Sequence, residues 1–416
     1  MILKKDKKVL LVNFFSLSTL NFINYLLPLI ILPYLIKVIG IENFGLINFA
    51  LSVIMFFNIL IGFGFDLSAT RQVSIYKNDI RKVSEIFSSV YLIKAFLLIL
   101  SFIVLCVFII FVPKIHTYSM LFILTSFILI GNMFFPSWLY QGMEDMKYIT
   151  IINVGIKFFF VLTIFLFIKS PSDYLLVPTF NSIGSILGGF VAFLYAIKKF
   201  NVKLVKPSFN EIKKLFVDSF HFFMSRIANN GMRYIALTLI GFNFNNNIIG
   251  LYSLAEKLFF AFAGLGGIVS QTIYPYMSRT RNILFFKKIL LIISIILIII
   301  MILLFFFSKY IFVYIFHIKN ELIISLFQIM LIGIVIAVYN ALIGYPLLAA
   351  FGYVKEANYT LVAASIFYIV FLIYATSILK NIYFVAFSLI AYELLVLLFR
   401  GYFVKKYKIL RNYYGS

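Results

Sequence analysis

Charged residues are scarce in this sequence, and acidic residues are the scarcest of them. Aspartate and glutamate together number 14 among 416 residues, against 36 lysines and arginines, and charged residues make up only 12% of the chain. Hydrophobic residues account for 63%. Soluble domains have about 25% charged residues, so this composition excludes a soluble globular protein and indicates a polytopic membrane protein.

Signatures of catalysis and of covalent cross-linking are also lacking. The single cysteine, Cys106, excludes a disulfide framework. The sequence has no GxxxxGK[ST] phosphate loop, and its three histidines lack the spacing of a metal site. No loop on the predicted outer side is long enough to form a catalytic domain. We therefore predict a protein that is not an enzyme and that has no cofactor and no metal.

Long apolar runs fill most of the chain. A transmembrane helix needs about 20 apolar residues. Lipid cannot form hydrogen bonds with backbone N–H and C=O groups, so a chain within it must satisfy these groups internally, as a helix does. The sequence therefore predicts an all-α polytopic protein with twelve transmembrane helices. These are at 9–36, 45–65, 86–112, 118–140, 148–168, 174–197, 215–241, 248–275, 289–307, 322–351, 358–379 and 382–399.

Most basic residues fall in alternate connecting segments. Lys4, Lys5, Lys7 and Lys8 precede the first run, and basic residues recur on the same side up to the segment after residue 399. Lysine and arginine near the ends of spans stay cytoplasmic, so both termini are predicted to be cytoplasmic. The net charge of +22 then reflects topology and affinity for anionic lipid rather than binding of nucleic acid.

Short patterns recur in the two halves of the chain. FGLINFA at 44–50 recurs as IGLYSLA at 249–255. A second set of matches pairs Pro136, Gly142 and Thr150 with Pro346, Gly352 and Thr360. We predict an N-terminal six-helix lobe, 1–200, and a C-terminal six-helix lobe, 201–416, with a linker at about 198–214. With an even number of spans in each, a pseudo-twofold axis along the membrane normal relates the lobes, as in alternating-access transporters.

Ionisable residues inside the predicted spans are candidates for function, because burying a charge in a membrane is costly. The basic candidates are Arg226, Arg233, Lys257, Lys157 and Lys94. Arg226, Asn230 and Arg233 share one face of the seventh predicted helix. Guanidinium groups bind phosphate oxygens in pairs, so these residues predict a cavity that prefers an anion.

Several of these residues have alternative interpretations. Arg226 could pair with Glu256 or Glu393 to hold helices together, and Lys94 and Lys157 could extend to the membrane surface. Asn21 and Asn24 in the first predicted helix suit sugar hydroxyls or, equally, amide bonding within the core. The two glutamates are also candidates for coupling to protons or sodium.

The stretch PSWLYQGMED, 136–145, places polar groups at the end of an apolar run. Trp138 and Tyr140 are expected at the headgroup level, and Gly142 is expected to let the chain turn. Gln141, Glu144 and Asp145 would then face the cytoplasmic mouth of the first lobe, where they could pair with Arg71 as a gate. A plain interfacial anchor is the alternative.

Five motifs, taken in order, resemble the polysaccharide-unit flippases. This family comprises the O-antigen and capsule repeat-unit transporters, within the superfamily that also includes multidrug extruders and lipid II flippases. The motifs are IGIENFGLINFALSV at 39–53, FGFDLSATR at 63–71, PSWLYQGMEDMKYI at 136–149, GLYSLAEKL at 250–258 and YPYMSR at 274–279.

The resemblance implies a function as well as a fold. Such flippases move undecaprenyl-diphosphate-linked oligosaccharide repeat units from the cytoplasmic to the periplasmic leaflet of a bacterial inner membrane, for polysaccharide biosynthesis. The implied partners are membrane lipids, a polysaccharide polymerase and glycosyltransferases. A drug or cation antiporter of the same superfamily is an alternative but should have an acidic lumen. A membrane glycan polymerase is another, but it would need a large periplasmic loop.

Overall fold

The computed structural model describes residues 2–410; for 2–22, 24–26, 28–29, 225, 228–230 and 232–233 it describes the backbone alone. All regular structure in this part of the chain is helical, as predicted. The α-helices are α1 Ile2–Gly62, α2 Phe65–Ile75, α3 Ile80–Phe111, α4 Pro113–Thr117, α5 Ser119–Ser126, α6 Ile128–Phe134, α7 Ser137–Gly142, α8 Lys147–Phe167, α9 Leu176–Phe200, α10 Phe209–Asn243, α11 Asn246–Thr280, α12 Ile283–Tyr310, α13 Glu321–Leu342, α14 Val354–Ile373 and α15 Ile382–Lys406. A 3₁₀-helix lies at Pro171–Leu175, and π-helical stretches lie at Ile311–Ile315, Ile343–Ala349 and Tyr374–Ile378.

Ten helical segments of the described residues are long and apolar enough to cross a membrane. The protein is therefore a multi-pass membrane protein, as its composition predicts. The first and seventh predicted spans, 9–36 and 215–241, lie in α1 and α10, where many side chains are not described. The number of twelve and the orientation of the termini stay predictions.

Contacts among Cα atoms divide the chain into two compact units. Unit 1 comprises residues 1–24 and 38–238, and unit 2 comprises residues 25–37 and 239–416. The two predicted six-helix lobes and the axis relating them remain predictions.

Two glycines with left-handed backbone break the first helices of unit 1. Gly40 interrupts α1 with a φ of 79°, and Gly64 separates α1 from α2 with a φ of 76°. A Cβ on Gly64 would also lie 2.7 Å from the Cβ of Phe222. Because only glycine adopts such angles without strain, the chain turns at Gly64. This turn places Asp66 in the first turn of α2.

Trp138 and Tyr140 are core residues of unit 1 rather than interfacial anchors. Both side chains are completely buried in α7. The Tyr140 hydroxyl donates to the carbonyl of Ala192 in α9 at 2.8 Å, and the Trp138 ring lies 6.0 Å from the ring of Phe87 in α3. The rings therefore contact protein rather than lipid, because α7 packs inward after Pro136; their depth at the headgroup level stays a prediction.

Gly142 serves helix packing rather than the turn after α7. The residue with left-handed backbone in that turn is Glu144, with a φ of 60°. A Cβ on Gly142 would lie 2.6 Å from the side chain of Val73 in α2. The Thr70 hydroxyl, also in α2, donates to the Trp138 carbonyl at 3.1 Å. The FGFDLSATR and PSWLYQGMED motifs are therefore one packed structural element.

Unit 2 is built around α11, α13 and α15. Gly266 allows α11 to approach α13, since a Cβ there would lie 2.9 Å from the Cα of Val338. Side chains of asparagines accept hydrogen bonds from the first turns of four helices and so define their starts. These caps are Asn245 for α11, Asn282 for α12, Asn320 for α13 and Asn381 for α15.

Candidate functional site

Unit 1 contains a polar cavity of about 460 Å³ among its apolar helices. Its volume is in the range of about 300–1,000 Å³ that is typical of ligand sites. The polar residues that line it are Asn58, Asp66, Lys94, Asn132, Ser137, Asn153, Lys157, Asn181, Ser185, Arg226 and Tyr234. The cavity depends on the whole unit, because its lining comes from α1, α2, α3, α6, α7, α8, α9 and α10.

Arg226 and Asp66 form the ion pair of this cavity. A guanidinium nitrogen of Arg226 in α10 lies 2.9 Å from Oδ2 of Asp66 in α2. The other oxygen of Asp66 accepts a hydrogen bond from the Ser137 hydroxyl at 2.9 Å. The two charged side chains are 34% and 29% exposed. A ligand can therefore reach the pair. The alternative partners of Arg226, Glu256 and Glu393, belong to unit 2, and that interpretation stays a prediction.

Lys94 donates hydrogen bonds to the last turn of α6, at its C-terminal end. Its ammonium donates to the carbonyls of Asn132 and Met133 at 3.4 and 3.1 Å. The hydroxyl of Tyr91, also in α3, donates to the next carbonyl, that of Phe134, at 2.8 Å. Carbonyls at a helix end need partners in a membrane, and a cation suits this end of the helix dipole. Lys94 is only 5% exposed, so it does not extend to the membrane surface.

Amide side chains surround the charged groups. The Asn132 amide donates to the Asn58 side chain at 3.0 Å, which ties α6 to α1. The Asn153 amide donates to the carbonyl of Ile149 at 2.8 Å, within α8. Lys157 lies one turn beyond Asn153 on the same helix and is partly buried. The cavity thus combines cations with groups that can donate to oxygen.

The charge balance of the cavity favours an anionic ligand. Three basic side chains, Lys94, Lys157 and Arg226, face one carboxylate, Asp66. Electrostatic attraction is stronger there than in water because the surrounding helices have a low dielectric constant. Guanidinium and amide groups donate well to phosphate oxygens. Asp66 would compete with such an anion for Arg226.

The structure brings together three of the predicted binding residues. Arg226, Lys157 and Lys94 line the same cavity, whereas Lys257 is a partly buried residue of α11 in unit 2. The side chains of Arg233, Asn230, Asn21 and Asn24 lie outside the described residues. Their predicted roles stay predictions.

Asp66 is a residue of the cavity that the sequence pattern did not single out, although it is the partner of Arg226. The available signal was its position two residues after Gly64, where the apolar run of α1 ends.

Charged residues predicted at the cytoplasmic mouth form ion pairs. Glu144 pairs with Lys77 at 3.3 Å, and Asp145 pairs with Lys199. Arg71 lies 3.7 Å from Asp218 of α10. The predicted gate, in which these acidic residues pair with Arg71 when the cleft closes inward, stays a prediction. Gln141 is partly buried in α7.

The two glutamates predicted for ion coupling are in unit 2. Glu256 is 4% exposed in α11. Glu393 in α15 accepts a hydrogen bond from the side-chain amide of Asn340 in α13 at 2.7 Å. Neither lines the cavity of unit 1, and their coupling role stays a prediction.

Comparison with known proteins gives matches along most of the chain. Residues 10–281 match the family described as "Polysaccharide biosynthesis protein". A protein of Escherichia coli (strain K12) named "Putative O-antigen transporter" is 28% identical over 270 residues, which are 64% of this chain and 65% of that protein. A protein of the same name from Shigella dysenteriae is 27% identical over 277 residues, 64% of this chain and 67% of that protein. The chain thus aligns with about two thirds of the length of these relatives.

Solved structures share the fold. The "Lipid II flippase MurJ, inward closed conformation" superposes with a TM-score of 0.71 at 18% identity, covering 95% of this chain and 87% of that one. An inward-facing multidrug resistance MATE family transporter of the MOP superfamily superposes with a TM-score of 0.64 at 12% identity, covering 96% and 99%. These relatives are named as transporters and flippases, not as enzymes. Because the family match extends over more than half of its residues, this chain belongs to the polysaccharide biosynthesis protein family.

Proposed function

We propose that this protein is a flippase that moves undecaprenyl-diphosphate-linked oligosaccharide repeat units from the cytoplasmic to the outer leaflet of a bacterial inner membrane. One observation carries the proposal: Arg226, Lys94 and Lys157 line one cavity within the membrane-spanning helices of unit 1. A cavity with this charge is suited to the diphosphate that joins the lipid to its glycan.

Arg226 has the central role in the proposed mechanism. When the diphosphate enters, the guanidinium exchanges the Asp66 carboxylate for phosphate oxygens, and Ser137 continues to hold Asp66. Lys157 and Lys94 add positive charge, and the amides of Asn58 and Asn132 donate further hydrogen bonds. Unpaired phosphate charges would be prohibitively costly in hydrocarbon, so their neutralisation makes passage feasible.

The remaining steps follow from the chemistry of the lipid. Its polyprenyl tail stays in the hydrocarbon, and only the polar head crosses through protein. Rocking of the two predicted lobes would then expose the head on the other side. In this scheme both termini are cytoplasmic. Glycosyltransferases that make the lipid-linked unit and a polymerase that extends it are the expected partners.

A drug or cation antiporter is the second candidate. Asp66 gives it some support, since a carboxylate in a membrane cavity can bind a cation, and the fold is shared with a multidrug transporter. The three basic residues beside Asp66 repel a cation, however, so the flippase is the better supported function.

Transport in proteoliposomes tests this choice directly. Vesicles containing the purified protein would receive a fluorescent polyprenyl-linked sugar with either a diphosphate or a monophosphate bridge. We expect the diphosphate lipid to cross at least about tenfold faster, because it has more charge for Arg226 and Lys157 to bind, and tenfold corresponds to about 1.4 kcal/mol. Protein-free vesicles give the background rate.

The same vesicles distinguish the rival function. Equal rates for the two lipids, together with uptake of the cationic dye ethidium, would favour the antiporter over the flippase.

A further inference from the structure

Unit 2 contains a second polar cavity, of about 510 Å³, which the mechanism above does not use. It lies among α11, α13, α14 and α15 and the π-helical stretch Ile343–Ala349. Its polar lining consists of Ser270, Gln271, Tyr274, Asn340, Tyr345, Tyr392, Glu393 and Arg400. Ionisable residues at such a place in a membrane protein call for a functional explanation.

Arg400 is fixed in place, although its position after the last apolar run predicts a place in the basic cytoplasmic tail. It is only 4% exposed. Its guanidinium donates to the hydroxyl of Thr360 at 3.3 Å and to the carbonyl of Ala357 at 3.2 Å, both in α14, and also to the carbonyl of Asn340. A Cβ on Gly344 would lie 2.7 Å from this guanidinium. The π-helical stretch is therefore shaped around the arginine.

Glu393 is held with similar precision. The side-chain amide of Asn340 donates both to its carboxylate at 2.7 Å and to its backbone carbonyl at 2.8 Å. In the described part of the chain, no carboxylate forms a salt bridge with Arg400. The cavity thus presents a carboxylate and a guanidinium separately, each oriented by α13.

The charge of this cavity differs from that of the cavity in unit 1. One acidic and one basic side chain line it, so it has no net preference for a diphosphate or for a cation. A ligand hydroxyl group can bind both side chains, because it donates a hydrogen bond to the Glu393 carboxylate and accepts one from the Arg400 guanidinium. A ring with several hydroxyls could use Glu393, Arg400 and Gln271 together.

Aromatic rings complete the lining. Tyr274 and Tyr345 pack edge to face, with ring centroids 6.0 Å apart, and Tyr392 lies beside Glu393. Tyrosine offers an apolar face and a polar tip, which matches the C–H faces and hydroxyl edges of a sugar ring. The Tyr345 hydroxyl is already oriented, since it donates to the side-chain oxygen of Asn358 at 3.3 Å.

We infer that the cavity of unit 2 binds a sugar residue of the transported glycan. This inference rests on the proposed function, because it assigns the sugar part of the same substrate to a second site. Glu393 accepts hydrogen bonds from the sugar, Arg400 and Gln271 donate to it, and Tyr274, Tyr345 and Tyr392 contact its faces.

Photo-cross-linking in cells of the protein's own species tests the site whatever the structure of the glycan. The photoreactive amino acid p-benzoylphenylalanine would replace Tyr345 in the unit 2 cavity, Phe135 in the unit 1 cavity, or Tyr314, which is 70% exposed on unit 2. Mild acid hydrolyses the bond between the diphosphate and the first sugar. Carbohydrate therefore survives acid on the protein only where the cross-link is to the sugar itself.

We expect acid-stable carbohydrate on the Tyr345 variant and none on the Tyr314 variant. Adding Glu393→Gln or Gln271→Ala to the Tyr345 variant should lower this yield at least about fivefold. The adduct of the Phe135 variant should persist with either substitution, since neither residue lies in unit 1. Gln271 is exposed, so its substitution is expected to disturb the folding of unit 2 little.

The failures of the two proposals are distinguishable. A substrate adduct at Phe135 without acid-stable carbohydrate at Tyr345 would overturn the sugar site and leave the flippase function standing. No adduct at either position would overturn both. An unchanged yield at Tyr345 after both Glu393→Gln and Gln271→Ala would also overturn the sugar site.

Discussion

Arg226→Ala is expected to abolish transport of the lipid-linked glycan. The alanine removes the guanidinium group that neutralises phosphate charge, and it leaves the negative charge of Asp66 in the cavity, where it repels the diphosphate. Loss of a charge-assisted contact in a partly desolvated cavity costs a few kcal/mol. We expect transport in proteoliposomes to fall at least about 100-fold, which corresponds to about 2.7 kcal/mol. Surface glycan of cells should fall to the level of a deletion strain.

Two matched variants separate the effect on transport from an effect on folding. Arg226→Lys keeps the charge but loses the planar fork, so partial activity is expected. The double variant Arg226→Ala with Asp66→Asn removes both partners of this ion pair and should accumulate normally, yet remain inactive. Full export by either alanine variant would remove Arg226 from the proposed mechanism.

Gly131→Ala is expected to prevent unit 1 from forming its native packing. A Cβ on Gly131 in α6 would overlap the backbone carbonyl of Ser185 in α9, and a Cβ on Gly189 in α9 would overlap the Gly131 carbonyl. Backbone atoms cannot move aside as a flexible side chain can. Overpacking costs about 1–3 kcal/mol even among side chains, so we expect little monodisperse protein after solubilisation and a melting temperature several degrees lower.

Gly155→Ala is the control for this substitution. Gly155 is also helical and also in unit 1, but a Cβ there meets nothing within 4 Å. Alanine favours a helix over glycine by about 1 kcal/mol, so this variant should be as stable as the wild type or slightly more so. Similar melting temperatures for the two variants would contradict the view that Gly131 is needed for the close packing of α6 on α9.

The all-helical, membrane-spanning character of the fold was predictable from the sequence, because the membrane constrains it strongly. Long apolar runs form helices there because their backbone groups must bond within the segment. Local packing was not predictable in the same way. Trp138 and Tyr140 follow the usual pattern of interfacial aromatic residues, but the break at Pro136 turns them into the core of unit 1. That outcome depends on contacts with α3 and α9, which are distant in the chain.

The candidate site was predictable in its charge but not in its pairing. Arg226, Lys94 and Lys157 stood out because apolar runs rarely contain cations, and they do line one cavity. Asp66 and Arg400 lie close to the ends of such runs, where a charged residue is usually exposed to water. The partial burial of Asp66 follows from the turn at Gly64, and the burial of Arg400 from the π-helical stretch that contains Gly344; no residue pattern specified either.

The central claim is that the cavity of unit 1 binds a diphosphate in competition with Asp66. Binding of farnesyl diphosphate to the purified protein, compared between the wild type and Asp66→Asn, tests this claim most directly. We expect the Asp66→Asn protein to bind about tenfold tighter, or by about 1.4 kcal/mol, because the competing carboxylate is gone while Arg226 remains. Equal or weaker binding by the Asp66→Asn protein would contradict the claim.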